Sequence, residues 1–513
     1  MEGYEEDKKN YILDGFREGF SIGCTNVNSI KEPKNLKSAY ANPSVVDAKL
    51  QRELDAGRMI GPFDRSPYPN TIISPIGLHP KKSGDFRLIT HLSYPPGLSV
   101  NDAIPNEMAT VQYATVGHAI SIIKSIGKGA YLAKTDIKNA FRIMPIKPSE
   151  YRLLGIKWRG SYFIDRSLVM GCSSSCKIFE AFSTALEWVA RNKLGIPGII
   201  HILDDYLIIA RTKHECLRQL NAFLQFCSDC GIPIAQEKTL GPEQVLPFAG
   251  IELDCVRMLA RLPDDKLIKC TELIKQTLDM TRISLKGIQE LCGLLNFCCI
   301  VIYPGRCFLR RLYNLTIGLS NKHAQITLSA ETKDDLRMWL RFLSQFNGKI
   351  FFMSNKWIAA DALNLHSDAA QTGGFAATLQ RQWLYGEWPE QMRRIDITTL
   401  EFYPIVVALN VWGQSLSDLN INIHTDNESL VSIINSQTVK RNDRCLKLLR
   451  IFVLTCLKFN ILVKAFHIPG SKNSICDSLS RLQVDRFREL APAMHRMPTA
   501  IPHYLSPEKL LKT

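Results

Sequence analysis

The segment Ile199-Ile-His-Ile-Leu-Asp204-Asp205-Tyr-Leu-Ile-Ile-Ala210 decides the fold, because it sets two adjacent carboxylates between two apolar, Ile-rich runs. Such runs predict two short strands that form a hairpin with Asp204 and Asp205 at its tip. Two neighbouring carboxylates repel each other unless a cation neutralises them, so the pattern favours a metal site. The alternative is an ordinary turn, but Asp-Asp without Gly or Asn is poor chemistry for a two-residue hairpin loop.

A third acid lies upstream, where Asp136 ends the strand-like run Ala130-Tyr-Leu-Ala-Lys-Thr135. Taken alone, Asp136 is equally well explained as a helix N-cap. Together with the paired acids it supplies the hard oxygen ligands that two Mg²⁺ ions, about 4 Å apart, require for phosphoryl transfer. The three acids therefore predict a two-metal centre.

Four further acids fall near the ends of predicted elements in the last third of the chain. Asp368 and Asp426 follow predicted strands, whereas Glu401 and Asp477 are predicted to open helices. Each acid alone is better explained as a helix cap or a turn residue. The four become informative only as an ordered set.

The length and the charge of the chain limit the classes of protein to consider. A chain of 513 residues predicts about three or four domains, and 46% hydrophobic with 22% charged residues is ordinary for folded protein. The formal net charge of +14 suits a polyanionic partner, although an ordinary basic surface explains it equally well.

The first residues and the cysteines predict an intracellular protein, cytoplasmic, nuclear or both. The acidic start lacks the basic and apolar regions of a secretory signal, and no run reaches the roughly 18 apolar residues that span a bilayer. We therefore expect no membrane role. Cys227 and Cys230 form a single C-x-x-C without further ligands, so buried free thiols are favoured over a zinc site.

The motifs occur in an order that resembles a reverse transcriptase, over nearly the whole span from Pro62 to Arg481. The stretches that carry the resemblance are Pro80-Lys-Lys-Ser-Gly-Asp-Phe-Arg87, Asp136-Ile-Lys-Asn-Ala-Phe141, Met170-Gly-Cys-Ser-Ser-Ser-Cys-Lys-Ile-Phe179, Ile202-Leu-Asp204-Asp205 and Gln236-Glu-Lys238-Thr. Two positions depart from the family pattern: Cys176 stands where Pro is usual, and Ile202 stands where retroviral enzymes usually have Tyr.

The resemblance implies a role for each matching residue. Asp136, Asp204 and Asp205 would be catalytic metal ligands, and Phe141 would lie under the deoxyribose. The incoming nucleotide would be bound by the residues Lys81 or Lys82, Arg87, Gly171 and Lys238, the last of which would protonate pyrophosphate. For the Lys81 to Arg87 segment, a solvated charged turn is the alternative.

The second set of acids resembles ribonuclease H, whose four carboxylates hold two Mg²⁺ ions. Asp368, Glu401, Asp426 and Asp477 match those catalytic metal ligands in order and spacing. His467, ten residues before Asp477, would help the product to leave, although a buried or loop histidine explains it equally well.

The resemblance implies a multidomain α/β fold, a right-hand polymerase with fingers, palm and thumb followed by a ribonuclease H-like α/β domain. The predicted parts are a leader (1–60), fingers and palm (61–260), a mainly helical thumb and connection (261–355), the ribonuclease H-like domain (356–485) and a tail (486–513). The sequence is most similar to retrotransposons of the DIRS type, which integrate by a tyrosine recombinase.

These assignments imply cofactors and partners. The cofactor would be Mg²⁺, two ions per active site, with Mn²⁺ as a substitute. The partners would be an RNA template, a DNA primer, an RNA–DNA hybrid and deoxynucleoside triphosphates, together with other proteins of the element such as a capsid-like protein and a recombinase.

Three rival classes remain. A domesticated nucleic-acid-binding protein commonly loses metal ligands, and here all seven acids persist. An RNA-dependent RNA polymerase needs room for a 2′-hydroxyl, against which Phe141 argues. A structural metal-binding module does not explain two separately ordered sets of acids.

Overall fold

The computed structural model describes all residues except 26, 28–31, 82–83, 346, 348–349, 352–362, 418, 441, 460 and 512–513. The chain folds into two compact units, Met1–Met258 and Leu259–Thr513. The finer boundaries at residues 61, 261, 356 and 486 stay predictions, and residue 356 itself lies outside the described part.

The first unit mixes helices with short strands. Its described helices are α1 (Glu6–Glu18), α2 (Lys37–Ala41), α3 (Pro43–Asp55), α4 (Asn106–Ala109), α5 (Val116–Ile126), α6 (Ser175–Asn192) and α7 (Lys213–Asp229). Its described strands are β1 (Met59–Phe63), β2 (Ile76–Pro80), β3 (Phe86–Thr90), β4 (Tyr131–Asp136), β5 (Gly155–Trp158), β6 (Ser161–Asp165), β7 (Ile199–Ile202), β8 (Asp205–Ala210), β9 (Leu240–Glu243), β10 (Val245–Phe248) and β11 (Ile251–Asp254).

A four-stranded antiparallel sheet in the order β7-β8-β4-β9 forms the centre of this unit. The Ile-rich runs predicted as strands are β7 and β8, and their side chains are buried against helices α6 and α7. Tyr206 of β8 is fully buried, with its ring 5.1 Å from that of Phe223 in α7. The predicted hairpin is thus confirmed, and its inner strand β8 packs against α7.

Strand β7 is also tied to helix α6 by a buried histidine. The two ring nitrogens of His201 lie 3.3 Å from Glu180 and 2.5 Å from Glu187. Burial opposes protonation of this ring, but its contacts with the two carboxylates prevail and raise the pKa of His201 to about 9. The hairpin that carries the paired acids therefore rests on an ionic contact within the core.

A second apolar core lies under the three-stranded sheet β1-β6-β5 and the hairpin β2–β3. Val46 and Leu50 of α3 are buried there with Ile76 and Phe163. Helix α1 packs on α6, where the rings of Phe16 and Phe182 are 5.4 Å apart. The described parts of the predicted leader are therefore built into the body of unit 1.

The second unit begins with helices and ends with a sheet. Its described helices are α8 (Asp264–Asp279), α9 (Leu285–Cys298), α10 (Arg310–Asn314), α11 (Ala330–Gln345), α12 (Ile397–Trp412), α13 (Glu428–Ser436), α14 (Asp443–Lys458), α15 (Ser474–Ser480), α16 (Val484–Leu490) and α17 (Pro507–Leu510). Its described strands are β12 (Leu259–Arg261), β13 (Arg282–Ser284), β14 (Gln325–Thr327), β15 (Ile350–Phe351), β16 (Leu363–Ala369), β17 (Gly374–Leu379), β18 (Gln382–Glu387), β19 (Asn420–Thr425) and β20 (Leu462–His467).

Five of these strands form one mixed sheet in the order β18-β17-β16-β19-β20. The first three are antiparallel, and β16, β19 and β20 run parallel to one another. Helix α12 packs on β16 and β17, and α15 packs on the same two strands. The carboxyl ends of β16 and β19 meet at one edge because these strands are parallel.

The residues predicted as a tail are part of this second body. The indole nitrogen of Trp383 donates to the carbonyl of His495 at 2.8 Å, and the hydroxyl of Tyr403 donates to that of Leu505 at 2.6 Å. Helices α16 and α17 also lie within the predicted tail or at its start. Two carbonyls within residues 486–511 therefore accept hydrogen bonds from buried aromatic side chains.

No helix in the described part of the chain combines the length and the apolar character needed to cross a membrane. The cysteines are free thiols in the described structure, with Cys227 buried and Cys230 exposed.

Candidate active sites

The sheet of unit 1 brings the first three acids together. Asp136 is the last residue of β4 and lies directly opposite Asp205, the first residue of β8. Asp204 occupies the turn between β7 and β8, where Leu203 adopts a left-handed conformation with φ 54°. The backbone N–H of Ile137 donates to the carbonyl of Asp204 at 3.0 Å, which locks this turn to the end of β4.

The negative charges of these three acids repel one another. Burial raises the pKa of Asp205 to about 6, with further raising contributions from Asp136 and Asp204. Burial, followed by the charge of Asp136, also raises the pKa of Asp204. The site therefore favours an arriving cation, and within the chain Lys238 already donates from Nζ to Asp136 Oδ1 at 2.8 Å.

Asp136 and Asp204 border a cavity of about 940 Å³. Of the predicted residues, those on its wall are Lys81, Arg87, Asp136, Phe141, Gly171, Asp204 and Lys238. Asp205 is not among the lining residues, although it is the register partner of Asp136 in the sheet. Lys82 falls outside the described residues, and Lys81 is 3.5 Å from Asp85 in an ion pair.

Two features of the wall shape the space for a ligand. The ring of Phe141 stands edge-on to that of Phe179, with centroids 5.5 Å apart and planes at 81°. Gly171 has φ 114°, and a Cβ at this position would lie 2.4 Å from the carbonyl oxygen of Thr90. Only glycine fits this close approach of loop and strand.

Helix α3 contributes cations to the cavity that no sequence motif indicated. Lys49 and Arg52 of this helix, Arg58 after it and Lys138 beyond β4 also line the cavity. Lys49 pairs with Asp85 at 2.8 Å, whereas Arg52 is exposed and makes no ion pair with another described residue. The spacing of Lys49 and Arg52, three residues apart on one helical face, was the signal that could have identified them.

The sheet of unit 2 brings the second set of acids together. Asp368 is the penultimate residue of β16, and Asp426 follows the parallel strand β19 directly. Asp477 lies in the first turn of α15, as predicted, whereas Glu401 lies in the second turn of α12, so the prediction that Glu401 opens this helix was wrong. Helix α12 begins earlier because Asp396 caps it at the Thr399 N–H.

Burial and mutual repulsion raise the pKa values of these acids too. Burial, then the charge of Asp426, raises the pKa of Glu401 to about 8, and burial raises that of Asp368 to about 6. Thr425 donates to Glu401 at 2.9 Å. Ser480 donates to Asp368. Two hydroxyls that no sequence motif indicated, those of Thr425 and Ser480, therefore hold the carboxylates in place.

Three further features complete the description of this site. His467 is exposed at the end of β20, in register with Thr425 of β19. Arg481 donates from Nε to Asp477 at 2.6 Å. Buried Asp426 Oδ1 accepts no hydrogen bond from the described residues, so one carboxylate oxygen is left for another ligand.

The donor chemistry of both sets fits Mg²⁺, which prefers carboxylate oxygens. In the described residues, however, no three carboxylate, imidazole or thiol groups converge in an arrangement that holds a metal ion. Two of the acids are instead paired within the protein, Asp136 with Lys238 and Asp477 with Arg481.

Comparison with known proteins identifies the class of the first unit. Residues 79–253 match the family described as reverse transcriptase (RNA-dependent DNA polymerase). This span includes the three acids and most of the cavity wall, so the chain contains a reverse transcriptase domain.

The Pro-Pol polyprotein of simian foamy virus type 3 (strain LK3) is homologous to this chain. The two are 25% identical over 276 residues, which are 54% of this chain and 22% of that protein. The chain thus aligns with about a fifth of its curated relative.

Solved structures of foamy viral protease-reverse transcriptase share the fold. The complex with double-stranded DNA, of a form designated dRH, has a TM-score of 0.52 at 17% identity and covers 87% of this chain and 72% of that one. The complex with an RNA/DNA hybrid has a TM-score of 0.52 at 16% identity and covers 87% and 56%. These likenesses confirm the predicted fold class, a multidomain α/β polymerase fold.

Proposed function

We propose that this protein is an RNA-directed DNA polymerase with ribonuclease H activity. The observation that carries the proposal is the placement of Asp136 opposite Asp205 in the sheet, with Asp204 on the wall of a cavity that is also lined by cations. Carboxylates that bind metal and cations that bind a triphosphate are the two requirements of nucleotidyl transfer.

The cations of the cavity fit an incoming deoxynucleoside triphosphate. Arg52, Arg87 and Lys138 make no ion pair with another described residue, so their charges are available to phosphate oxygens. Phe141, on the wall of the same cavity, would border the sugar and leave no volume for a 2′-hydroxyl. Lys238 would move from Asp136 to the leaving pyrophosphate and donate a proton there.

The acids would hold two Mg²⁺ or Mn²⁺ ions in each active site. The chemistry supplied by such ions is activation of the primer 3′-hydroxyl in one site and of water in the other, with neutralisation of the charge that develops on phosphate. Asp136, Asp204 and Asp205 would hold the first pair of ions.

The second unit would cleave the RNA strand of an RNA–DNA hybrid. Asp368, Glu401, Asp426 and Asp477 would be its metal ligands, and the free oxygen of Asp426 supports this assignment. His467, exposed beside them, would assist release of the cleaved strand. Copying RNA into DNA leaves such a hybrid, and its A-form geometry and 2′-hydroxyls distinguish the strand to be removed.

The partners of this enzyme would be an RNA template, a DNA primer and the hybrid, bound through their phosphates by the basic chain. We assign the enzyme to a retrotransposon of the DIRS-like group, which would act inside the cell in the cytoplasm, the nucleus or both. A capsid-like protein and a recombinase of the same element would be its protein partners.

One observation favours an alternative function. The ion pairs Lys238–Asp136 and Arg481–Asp477 place a cation against one proposed metal ligand in each site. A domesticated protein that binds nucleic acid and has weak catalysis would keep such pairs closed.

Primer extension by the purified chain tests the proposal. The assay contains an RNA template, a DNA primer, deoxynucleotides and Mg²⁺, with labels on both strands to follow synthesis and RNA cleavage. Synthesis and cleavage that both stop with a chelator support the proposal, whereas tight hybrid binding without either reaction supports the domesticated alternative.

A further inference from the structure

Arg142 follows Phe141 directly and lies on the wall of the nucleotide cavity. Both residues belong to a short 3-10 turn, Ala140–Ile143, which begins after Asn139 in a left-handed conformation with φ 55°. The N–H of Arg142 donates to the carbonyl of Asn139 at 2.7 Å. Any contact that holds the guanidinium of Arg142 therefore also holds the short turn that carries Phe141.

All five N–H donors of this guanidinium are used within the protein. Nε and one terminal nitrogen donate to Glu53 at 3.1 and 2.8 Å, and that terminal nitrogen also donates to Asp165 at 2.7 Å. The other terminal nitrogen donates to the carbonyls of Ser167 and Leu168 at 3.3 and 3.1 Å.

The partners of Arg142 belong to separate parts of unit 1. Glu53 lies in α3 and is shared with Arg58 at 2.8 Å, and Asp165 ends β6. The side chains of Arg142 and Asp165 are only 13% and 8% exposed, so the ionic contacts are strong and costly to leave incomplete. The turn that carries Phe141 is therefore fastened to a helix and a strand at once.

A role in binding phosphate does not fit this geometry. Arg142 has no N–H left to donate, whereas exposed Arg52 on the same wall makes no ion pair with another described residue. Burial raises the pKa of Asp165, and the charge of Arg142 offsets only part of this rise. Arg142 faces the protein, not a ligand.

We propose that Arg142 is a positioning residue that sets discrimination between deoxyribonucleotides and ribonucleotides, because it fixes the turn of Phe141 between α3 and β6. The inference rests on the proposed polymerase function and adds a determinant of its sugar specificity. Lysine at this position keeps the charge but loses the planar five-donor geometry, so Phe141 gains freedom to move away from the 2′ position.

The test compares kcat/KM for a deoxynucleoside triphosphate and the matching ribonucleoside triphosphate on a primed RNA template. Arg142→Lys is expected to lower the preference for deoxyribonucleotides by about tenfold, mainly because ribonucleotides react faster. Glu53→Gln, at a less buried position, is expected to change the preference in the same direction. Arg17→Lys, an exposed position in α1, is the matched control and should leave the preference unchanged.

Two results would overturn the inference. An equal fall in kcat/KM for both sugars in folded Arg142→Lys would mean that the residue only stabilises the fold, whereas Arg52→Lys is expected to give that equal fall through KM. A crystal structure of Arg142→Lys with the ring of Phe141 unmoved against Phe179 would also refute it. If the wild-type chain extends no primer, the proposed function fails, and this crystal structure alone decides whether Arg142 positions Phe141.

Discussion

Glu401→Gln is expected to stabilise the metal-free protein at neutral pH while it abolishes RNA cleavage. Glu401 is only 6% exposed, and burial with the nearby charge of Asp426 raises its pKa from 4.5 to about 8. The folded chain therefore holds a proton at this carboxyl that the unfolded chain has released at pH 7. Gln has the same shape, needs no proton, and can keep the contacts with Thr425 and Asp426.

The magnitude follows from the two pKa values. Between about pH 4.5 and 8 the folded state binds more protons at Glu401 than the unfolded state, so the stability contributed by this group falls as pH rises. Because pH 7 lies about 2.5 units above the ordinary value and each unit is worth about 1.4 kcal/mol, the gain for Gln at pH 7 is about 3 kcal/mol. At pH 5 the gain should fall below about 1 kcal/mol.

Thermal unfolding of both proteins, in a chelator, at pH 5 and pH 7 measures this difference. We expect Glu401→Gln to melt roughly 5 to 10 °C above the wild type at pH 7 and close to it at pH 5. Added Mg²⁺ should raise the Tm of the wild type more than that of the variant. Glu489→Gln, an exposed position in α16, is the control and should change neither profile. A variant that is less stable than the wild type at pH 7 would refute the argument.

Three further predictions concern the two reactions. Asp204→Asn should reduce primer extension about a thousandfold or more and leave RNA cleavage intact, and near-normal synthesis by the folded variant would contradict the assigned role. Asp426→Asn should stop RNA cleavage in a labelled hybrid and spare DNA synthesis; parallel loss of both would show that the sites are not independent. Phe141→Val should raise ribonucleotide incorporation about ten- to two-hundredfold relative to deoxynucleotide incorporation, as measured by kcat/KM for each, and an unchanged ratio would exclude a steric gate.

The sequence predicted those parts of the first site whose residues are neighbours along the chain. The hairpin tip follows from two apolar runs around two acids, and the strand ending at Asp136 follows from the run before it. The contribution of Arg52 could not be predicted in the same way. Helix α3 lies far along the chain from β4, β7 and β8, which carry the acids, and its approach to the cavity depends on tertiary packing.

The second site shows the same limit. The order of the acids predicted the set, but element boundaries depend on caps such as Asp396, and an isolated Asp or Glu does not show whether it is a cap or a ligand. Ser480 could not be identified as a partner of Asp368, because the hydrogen bond joins residues 112 positions apart. Sequence patterns report local structure, whereas these contacts arise from the sheet register.

The hydrogen bonds between residues 495–505 and the aromatic core of unit 2 constrain the codons that encode this segment. A premature stop codon before residue 495 would remove the acceptors of Trp383 and Tyr403 and leave two buried donors unsatisfied. Each lost acceptor costs about 1 to 3 kcal/mol, a large part of the stability of an ordinary domain. In a decaying gene copy, damage far from the codons of the proposed metal ligands would therefore destabilise unit 2.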